Sequence, residues 1–548
     1  MELVRHYFSR VSFQGVNLVL SRNVKTTLKK NANFFSTETE LLDIFDQTGP
    51  PKYDKVFTPE PKKIETVNAS KLNKKQEKVV IKCKRTEFNH YKNQKYDKLK
   101  PIPLASKGWK HRKSKGDFFT IKIYDENYEP NLLYWDDEKS FSDLKIQDNV
   151  IEALQTQGIT KPTKVQVDSI PKLLSGKNCL IAAETGCGKT LAYLLPMIEQ
   201  LMVWNKAMGS RPPNTPLALV LCPHRELALQ IGDVAKIMSC CLPFTCTTLI
   251  GGRTKKKMLN PEFDYVDLLV ATPGALSKLI STGIYNVNEI KHVVIDEADT
   301  MLDDSFNELL LRILTKLKIG YQNPSTGAYP ENCQLTLVSA TMPKTIYKSL
   351  EGIVDSDSLM VIKSSRLHRI LPHVAQTFYR LAVSEKPIKL LQMAKQSLKK
   401  KQPTLIFSNK SSTADWISLM LNENGVPAVN LNGEMNYAIR LGKYKEFRDG
   451  RVMVLSCTDV ASRGLDTTHV KHILNYDFPV YMADYIHRCG RTGRCGSPSE
   501  NLITNFITRL KEVDLLNSIE MAVRIQGDLP RVDGNISKLI SRKYEKSS

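Results

Sequence analysis

Short apolar runs alternate with longer helix-like stretches from residue 141 to about residue 525. A first series of runs comprises residues 179–182, 217–221, 268–270, 293–295 and 335–338, and a second comprises 404–407, 428–431, 452–455, 473–474 and 502–506. Each run ends in small, polar or charged residues, which is where parallel α/β sheets build their sites. The pattern predicts two tandem parallel-sheet α/β domains, joined near residues 363–372.

The segment from residue 36 to about residue 139 lacks this rhythm. It is rich in Lys, Asn and Tyr and has weak periodicity, so we predict mostly extended or disordered chain, with one possible short strand at 117–124. The predicted organisation is a leader at 1–37, an extension at 38–139, domains at 140–363 and 372–525, and a basic tail at 526–548. A length of 548 residues fits about three domains.

The chain carries no apolar run of about 18 residues, so we expect no transmembrane helix and no membrane partner. The longest candidate, Leu191 to Val203, is interrupted by Glu199 and Gln200. Eleven cysteines without paired spacing suit free thiols in a reducing compartment.

Positive charge is concentrated before the domains. The chain has a net charge of +21, and residues 51–116 contain 20 Lys plus Arg against 6 Asp plus Glu, a net of +14. Such a basic block typically contacts nucleic-acid phosphates. The alternative is a solvated arm with no fixed partner.

The first 37 residues contain one acidic residue, Glu2, among six Lys and Arg interleaved with apolar and hydroxyl residues. This composition is typical of a mitochondrial transit peptide and predicts a location in the mitochondrial matrix. Basic runs at 74–75, 84–85 and 110–115 are compatible with nuclear signals, so a nuclear or nucleolar location is the alternative.

Residues 183–190 lie between an apolar run and a helix-like stretch, and read Ala-Glu-Thr-Gly-Cys-Gly-Lys-Thr. The two glycines let backbone N–H groups turn toward phosphates at a helix N-terminus. Lys189 is expected to neutralise the β- and γ-phosphates, and Thr190 to bind magnesium. A redox role for Cys187 is an alternative to its being a small residue beside the phosphates. The predicted phosphate-binding residues are Ala183, Glu184, Thr185, Gly186, Cys187, Gly188, Lys189 and Thr190.

A second apolar run leads directly into Asp296 and Glu297. Asp296 is placed to hold the water shell of a magnesium ion, and Glu297 to orient and deprotonate an attacking water. Asp299 is expected to link this loop to Ser339 and Thr341 rather than to touch phosphate.

The segment from His487 to Arg494 has three arginines within seven residues, spaced by glycine, which is unfavourable unless an anion neutralises them. Across a cleft from a γ-phosphate, Arg491 and Arg494 are candidates for stabilising transition-state charge. A basic loop or an RNA-binding patch is the alternative. The interpretation makes hydrolysis depend on closure of the two domains.

Taken in order, these motifs resemble those of the DEAD-box RNA helicases, and the match covers roughly residues 141–525. The first-half motifs are Phe141, Gly158, Pro162-Thr163, Gln166, 183–190, 223–228, Gly251-Gly252, 271–274, 296–299 and 339–341. The second-half motifs are 404–409, 432–435, 458–466 and 487–494. The resemblance implies two RecA-like domains after a basic, largely disordered N-terminal extension.

The resemblance also implies residue roles. Gln166, with Thr163, would read the adenine edge, Phe141 would stack on its ring and Asp466 would meet the ribose. Contacts to the RNA backbone, without base reading, are implied for Pro223, Arg225, Gly251, Gly252, Thr272, Gly274, Arg440 and Thr458. His487 would join Ser339, Thr341 and Asp299 in coupling the domains.

Three positions depart from the family pattern. His224 replaces a threonine, Ala275 replaces an arginine and Tyr437 replaces a glutamine. All lie on the RNA side or its supports, so we expect intact ATPase chemistry with altered RNA grip or strand separation.

The leader, basic extension and core together resemble the mitochondrial family member that assists assembly of the large mitochondrial ribosomal subunit. We therefore expect an ATP- and magnesium-dependent, monomeric RNA helicase that acts on ribosomal RNA, with ribosome assembly intermediates as partners. Three alternatives remain: an ATP-gated RNA clamp or scaffold with little unwinding, a catalytically inactive binding module, and DNA as substrate.

Overall fold

The computed structural model describes residues 79–97, 99–123, 134–208, 211–252, 258–302, 306–320, 329–342, 346–371, 373–459, 465–497 and 500–532. The predicted leader, the start of the basic block and most of the predicted tail lie outside these residues. The strands are β1 Val79–Cys83, β2 Phe118–Ile123, β3 Cys179–Ala182, β4 Ala218–Leu221, β5 Cys246–Leu249, β6 Leu268–Ala271, β7 His292–Ile295, β8 Gln334–Ser339, β9 Met360–Lys363, β10 Ala375–Arg380, β11 Thr404–Ser408, β12 Ala428–Leu431, β13 Val454–Thr458, β14 His472–Asn475 and β15 Leu502–Ile507.

The helices are α1 Asp148–Gln155, α2 Lys164–Leu174, α3 Lys189–Met208, α4 Arg225–Ser239, α5 Pro273–Ser281, α6 Ala298–Met301, α7 Asn307–Leu314, α8 Ile346–Ser349, α9 Lys386–Lys399, α10 Ser411–Glu423, α11 Tyr437–Arg448, α12 Met482–Cys489 and α13 Leu510–Arg524. They alternate with the strands in both halves of the chain. The predicted fold class, two parallel-sheet RecA-like domains, is confirmed.

The first lobe contains a parallel sheet in the order β5-β6-β4-β7-β8-β3-β9. Every residue of β3, β4, β6 and β7 is buried, which explains why these strands read as uninterrupted apolar runs. Strand β8 lies between β7 and β3. The loops that follow these three strands therefore meet at one edge of the sheet.

The second lobe has the parallel order β10-β15-β14-β11-β13-β12, and the extension adds two strands to it. Strand β2 pairs antiparallel with β10, and β1 pairs antiparallel with β2. The strand predicted at 117–124 is confirmed as β2. The expectation that the rest of the extension lacks regular structure is wrong for 79–123, which folds as part of the second lobe.

Buried polar contacts stabilise residues 79–123 of the extension on the second lobe. The Glu520 carboxylate, in α13, accepts hydrogen bonds from the backbone N–H of Ala105 at 2.8 Å and of Ser106 at 2.9 Å. It also forms an ion pair with Arg524 at 2.7 Å, in which both side chains are fully buried. Trp109 is fully buried and donates its indole N–H to Asp117 at 2.8 Å. Because a buried charge needs its hydrogen bonds satisfied, the extension completes the fold of this lobe.

Within the ranges given above, no helix is long and apolar enough to cross a membrane. All eleven cysteines are free, as predicted. Burial raises the pKa of Cys187 to about 12, which disfavours the thiolate that a redox sensor requires.

Candidate nucleotide and RNA site

The predicted phosphate loop connects β3 to α3. Gly186 and Gly188 adopt φ angles of 80° and 93°, in the left-handed region that favours glycine. The Lys189 ammonium donates hydrogen bonds to the carbonyls of Ala183 and Glu184, both at 2.7 Å. Lysine and backbone N–H groups thus lie together at the N-terminus of α3, a favourable place for anionic oxygen.

The predicted adenine-recognition residues touch this loop directly. Gln166 Nε2 donates to the Gly188 carbonyl at 3.1 Å, and Gln166 Oε1 accepts from the Thr163 N–H at 2.8 Å. A Cβ at position 188 would lie 2.8 Å from Gln166 Nε2, so glycine permits this close approach. The residues predicted for nucleobase recognition and for phosphate binding are therefore adjacent in the first lobe.

Asp296 lies at the end of β7 with 6% exposure. Its carboxylate accepts hydrogen bonds from the Tyr193 hydroxyl at 2.9 Å and from the Glu297 N–H at 2.8 Å. Burial, and then the charge of Glu297, raises the pKa of Asp296 to about 6. An added cation would relieve both unfavourable effects.

Glu297 adopts a left-handed backbone conformation with φ of 50°. One of its carboxylate oxygens, Oε1, lies 3.6 Å from an Arg491 guanidinium nitrogen of the second lobe. The other, Oε2, is buried and has no hydrogen-bond partner among the described residues. This oxygen can therefore accept a hydrogen bond from an attacking water, which is the first requirement for a general base.

Asp299 joins the two lobes. Its Oδ2 accepts hydrogen bonds from Thr341 Oγ1 at 2.5 Å, from the Thr341 N–H at 3.2 Å and from His487 Nε2 at 3.0 Å. The Thr341 N–H also contacts Ser339 Oγ at 3.2 Å. Burial opposes ionisation of Asp299, but the neighbouring His487 and these hydrogen bonds hold its pKa well below the usual range. The four predicted coupling residues thus lie in one buried cluster.

The arginine-rich segment 487–494, called the arginine loop below, packs directly on the phosphate loop. A Cβ at Gly186 would lie 2.5 Å from Arg494 Cγ, and a Cβ at Gly490 would clash with the Thr185 hydroxyl. The Cys495 N–H donates to the Gly186 carbonyl at 3.0 Å. These contacts leave no room for a side chain at either glycine.

The three arginines of this loop differ in environment. Arg488 is fixed within the second lobe by two 2.6 Å contacts to the Asp459 carboxylate. Burial, and then the charge of Arg491, lowers the pKa of Arg494 to about 10. Arg494 packs on the phosphate loop and Arg491 lies beside Glu297, and an anion would stabilise these two mutually repelling cations.

The remaining predicted nucleotide-binding residues, Thr190, Asp466 and Phe141, differ in how deeply they are buried. Thr190 is half-buried in the first turn of α3, and Asp466 is exposed beside Arg494. Phe141 is only 2% exposed and lies in the hydrophobic cluster of the first lobe with Cys187. Its stacking on adenine stays a prediction.

Three predicted RNA contacts of the first lobe lie together. A Cβ at Gly251 would be 3.1 Å from the Arg225 guanidinium, and one at Gly252 would be 3.4 Å away. Thr272 is buried at the start of α5, whereas Gly274 has open space around its Cα. Pro223 is buried immediately before α4.

In the second lobe, the predicted RNA contact Arg440 forms an ion pair with Glu226 of the first lobe, and the two side chains are 12% and 9% exposed. Thr458 ends β13 and is 8% exposed. The lobes therefore also meet at a second contact, between α11 and α4. Glu226 was not among the residues predicted to contact RNA, and its ion pair with Arg440 could not be predicted from the sequence.

The departures from the family pattern have structural consequences. His224 is 9% exposed and its ring packs edge-on against Phe306, with centroids 6.3 Å apart. Ala275 is 2% exposed, so it lies among the supports of the predicted RNA face. Tyr437 begins α11, and its side chain lies outside the described part of the chain.

The site fits a magnesium nucleotide. The glycine cradle, Lys189 and the paired arginines suit a polyphosphate, and the raised pKa of Asp296 suits a nearby cation. No cluster of three metal-ligating side chains occurs among the described residues, and a magnesium ion held through phosphate and water needs none. Tyr193, which orients Asp296, went unnoticed in the sequence because it sits in an apolar helical stretch.

The chain matches the DEAD/DEAH box helicase family over residues 163–349 and the helicase conserved C-terminal domain over residues 385–496. The probable ATP-dependent RNA helicase DDX28 of Mus musculus is 38% identical over 476 residues, which cover 85% of this chain and 88% of the relative. The protein of the same name from Homo sapiens is 36% identical over 472 residues, with 84% and 87% covered.

Two solved helicase structures share the fold of this chain. S. cerevisiae Dbp5 bound to RNA and ADP BeF3 matches with a TM-score of 0.60 and 26% identity, covering 74% of this chain and 99% of that chain. Mss116p bound to ssRNA and AMP-PNP shares the fold, with a TM-score of 0.61 and 23% identity over 70% of this chain and 79% of that one. The chain therefore belongs to the DEAD/DEAH box family of ATP-dependent RNA helicases, as the order of its motifs predicted.

Proposed function

We propose that this helicase closes its two lobes on ATP and RNA, and that it remodels mitochondrial ribosomal RNA during assembly of the large ribosomal subunit. The observation that carries the ATP-driven part is the 3.6 Å contact between Glu297 and Arg491. This contact supports the proposal because it brings the proposed base of one lobe next to a cation of the other, an arrangement that would favour hydrolysis only in the closed form.

ATP binding would begin in the first lobe. Gln166 and Thr163 read the adenine edge, while Lys189 and the loop N–H groups hold the β- and γ-phosphates. The direct Gln166 contact to Gly188 supports communication between the two ends of the nucleotide. Asp466 of the second lobe would bind the ribose and add to the energy of closure.

Thr190 and Asp296 would hold a magnesium ion through water and phosphate. When bound, the ion supplies charge neutralisation between the phosphates. Tyr193 keeps the Asp296 carboxylate oriented by its 2.9 Å hydrogen bond. Orientation of that carboxylate is the contribution of the protein to this part of the site.

Hydrolysis would use groups from both lobes. Glu297 would accept a proton from the attacking water through Oε2, which is buried and has no hydrogen-bond partner among the described residues. Arg491 and Arg494 stabilise the charge that develops on the transferred phosphoryl group. Opening of the lobes after hydrolysis would separate these groups and release the RNA.

The buried cluster around Asp299 would transmit closure. Thr341 is held on the first lobe, and His487 approaches from the second, so both bind the same carboxylate oxygen only when the lobes meet. RNA would contact backbone-binding residues on both lobes, with Arg225, Gly251 and Gly252 on the first and Arg440 and Thr458 on the second. Such contacts grip phosphates and 2′-hydroxyls without reading bases.

The choice of RNA would come from the basic extension and from protein partners. Support for mitochondrial ribosomal RNA is the acid-poor leader at 1–37, the net charge of +14 over 51–116 and the similarity to proteins named DDX28. Crosslinking the protein in cells and sequencing the attached RNA tests this assignment. Recovery of mitochondrial ribosomal RNA supports a matrix location, and recovery of nucleolar precursors overturns it.

A second candidate is an ATP-gated RNA clamp with little unwinding. The buried His224 and Ala275, which replace the usual residues beneath the RNA face, favour it. A short-duplex strand-displacement assay beside an ATPase assay separates the two functions. Hydrolysis without displacement identifies the clamp, whereas displacement of the duplex identifies the helicase.

A further inference from the structure

Residues 134–136, within the predicted extension, lie alongside the adenine-recognition segment of the first lobe. The Lys164 N–H donates to the Tyr134 carbonyl at 2.9 Å, and the Asp136 N–H donates to the Pro162 carbonyl at 3.1 Å. Trp135 forms a β-bridge with Thr163 between them. Tyr134 is thus attached by its backbone to the segment that begins α2.

The Tyr134 side chain bridges the two lobes. Its ring is 5% exposed and belongs to the hydrophobic cluster of the first lobe. Its hydroxyl donates a hydrogen bond of 3.0 Å to the carbonyl of Gly493, in the second lobe. Gly493 lies between Arg491 and Arg494, so one tyrosine connects the adenine-recognition segment to the arginine loop.

The connection between the domains converges on the same carbonyl. His373 Nε2 lies 2.7 Å from the Gly493 oxygen, and the His373 and Tyr134 rings meet edge-on with centroids 6.2 Å apart. Gly493 has φ of 64°, and a Cβ there would lie 2.5 Å from His373 Nε2. Burial lowers the pKa of His373, which favours a neutral ring donating from Nε2. The Gly493 carbonyl is therefore fixed from two directions.

We propose that Tyr134 is a positioning residue that couples nucleotide recognition in the first lobe to placement of the arginine loop. Its ring packs in the first lobe in both states, whereas its hydroxyl donates a hydrogen bond to the Gly493 carbonyl only when the lobes are closed. An interaction present in one state alone shifts the equilibrium toward that state. Tyr134 therefore contributes to the cooperativity between ATP and RNA, an inference that deepens the proposed closure mechanism.

The test uses the full chain carrying Tyr134→Phe, which keeps the ring and removes the hydroxyl. RNA affinity is measured with and without a non-hydrolysable ATP analogue, and the ratio gives the coupling factor. We expect the coupling factor to fall by about two- to tenfold, as for loss of one hydrogen bond. Nucleotide affinity without RNA should stay unchanged, because the open form lacks the contact.

Tyr329→Phe is the matched control, since its hydroxyl binds Glu289 within the first lobe at 3.2 Å. This control should leave the coupling factor at the wild-type value. A Tyr134→Phe protein with wild-type coupling overturns the proposal, as does an equal loss of nucleotide affinity in the absence of RNA. Wild-type protein without RNA-stimulated hydrolysis would instead refute the proposed function itself.

A double-mutant cycle gives an independent test. Tyr134 and His373 donate to one carbonyl, so the effects of Tyr134→Phe and His373→Ala on coupling should be non-additive. Strictly additive effects would show that the two residues act separately and would overturn the shared role of Gly493. The unfolding midpoint of each variant establishes that the lobes are folded.

Discussion

The Arg491 guanidinium lies 3.6 Å from the Glu297 carboxylate, although the two residues belong to different lobes. Their side chains are 5% and 14% exposed, so the pair is shielded from solvent. A surface ion pair of this length would contribute little, whereas a buried one constrains both groups. We propose that the attacking water and the charge developing on the phosphate are stabilised at this pair.

Replacing Glu297 by Gln keeps the size of the side chain and removes its basicity. We expect RNA-stimulated turnover to fall by about 100-fold or more, because general base catalysis contributes on this scale. ATP affinity should remain within a few-fold of wild type. Parallel measurements of turnover and of binding of a fluorescent nucleotide distinguish this result from simple unfolding, in which both would be lost.

Replacing Asp296 by Asn changes the pH dependence of stability. The folded-state pKa is raised from 3.8 to about 6, so the stabilising protonated form is complete below pH 4 and its contribution is lost as pH rises through 6. The neutral amide avoids that loss. The variant should be more stable than wild type at pH 8, by up to about 3 kcal/mol, with a smaller difference at pH 4.

Urea unfolding at the two pH values measures this effect without nucleotide. The exposed Asp233, in α4, provides the control, and Asp233→Asn should change the free energy of unfolding little at either pH. Equal stability of the Asp296→Asn variant and wild type at pH 8 would contradict the buried-charge account.

Arg440 is paired with Glu226 across the lobes and is also a predicted RNA contact. Arg440→Ala should weaken RNA binding for all sequences and reduce the slope of log affinity against log salt by about one. Arg448→Ala is the control, since this exposed arginine of the same helix pairs locally with Asp449. The same salt slope in both variants would exclude a phosphate contact at Arg440.

Two carboxylates of α13 that contact the extension predict contrasting costs. Glu520→Gln weakens the hydrogen bonds from Ala105 and Ser106 and also leaves Arg524, its neighbour within α13, buried without its charge partner. It should lower the free energy of unfolding by about 3–5 kcal/mol. Asp514→Asn breaks only the exposed 2.7 Å pair with Lys110 and should cost less than about 1 kcal/mol. Denaturant unfolding measures both, and similar costs would show that the extension is only loosely attached.

The central strands and the motif loops were predictable because buried parallel strands produce uninterrupted apolar runs and each motif follows one of them. Strands β5 and β9 were not predicted from the sequence because they form the two edges of the first-lobe sheet. Strand β5 is partly exposed and carries two threonines, so it lacks an uninterrupted apolar run. Strand β2 was predicted from its own sequence as 117–124. The rest of the 79–123 fold was not, because its partners β10 and α13 lie far along the chain.

The residues of the candidate site likewise divide into those that the sequence predicts and those that required the structure. Lys189, Asp296 and Glu297 were predictable because each motif is contiguous in sequence. The Tyr134 contact to Gly493 joins residues 359 positions apart, and the Arg440 contact to Glu226 likewise crosses the lobes. Such pairings follow from how two sheets meet, and neither residue pattern carries that information. The contacts that we propose to control closure are therefore the part of the site that required the structure.

The most direct measurement is RNA-stimulated ATP turnover of the full chain with Arg491→Ala, compared with wild type and with Arg448→Ala. Loss of a transition-state cation should reduce turnover by about 1,000-fold while nucleotide binding to the first lobe persists. The Arg448→Ala control should match wild type. Unchanged RNA-stimulated turnover in the Arg491→Ala protein would contradict an active site shared between the two lobes.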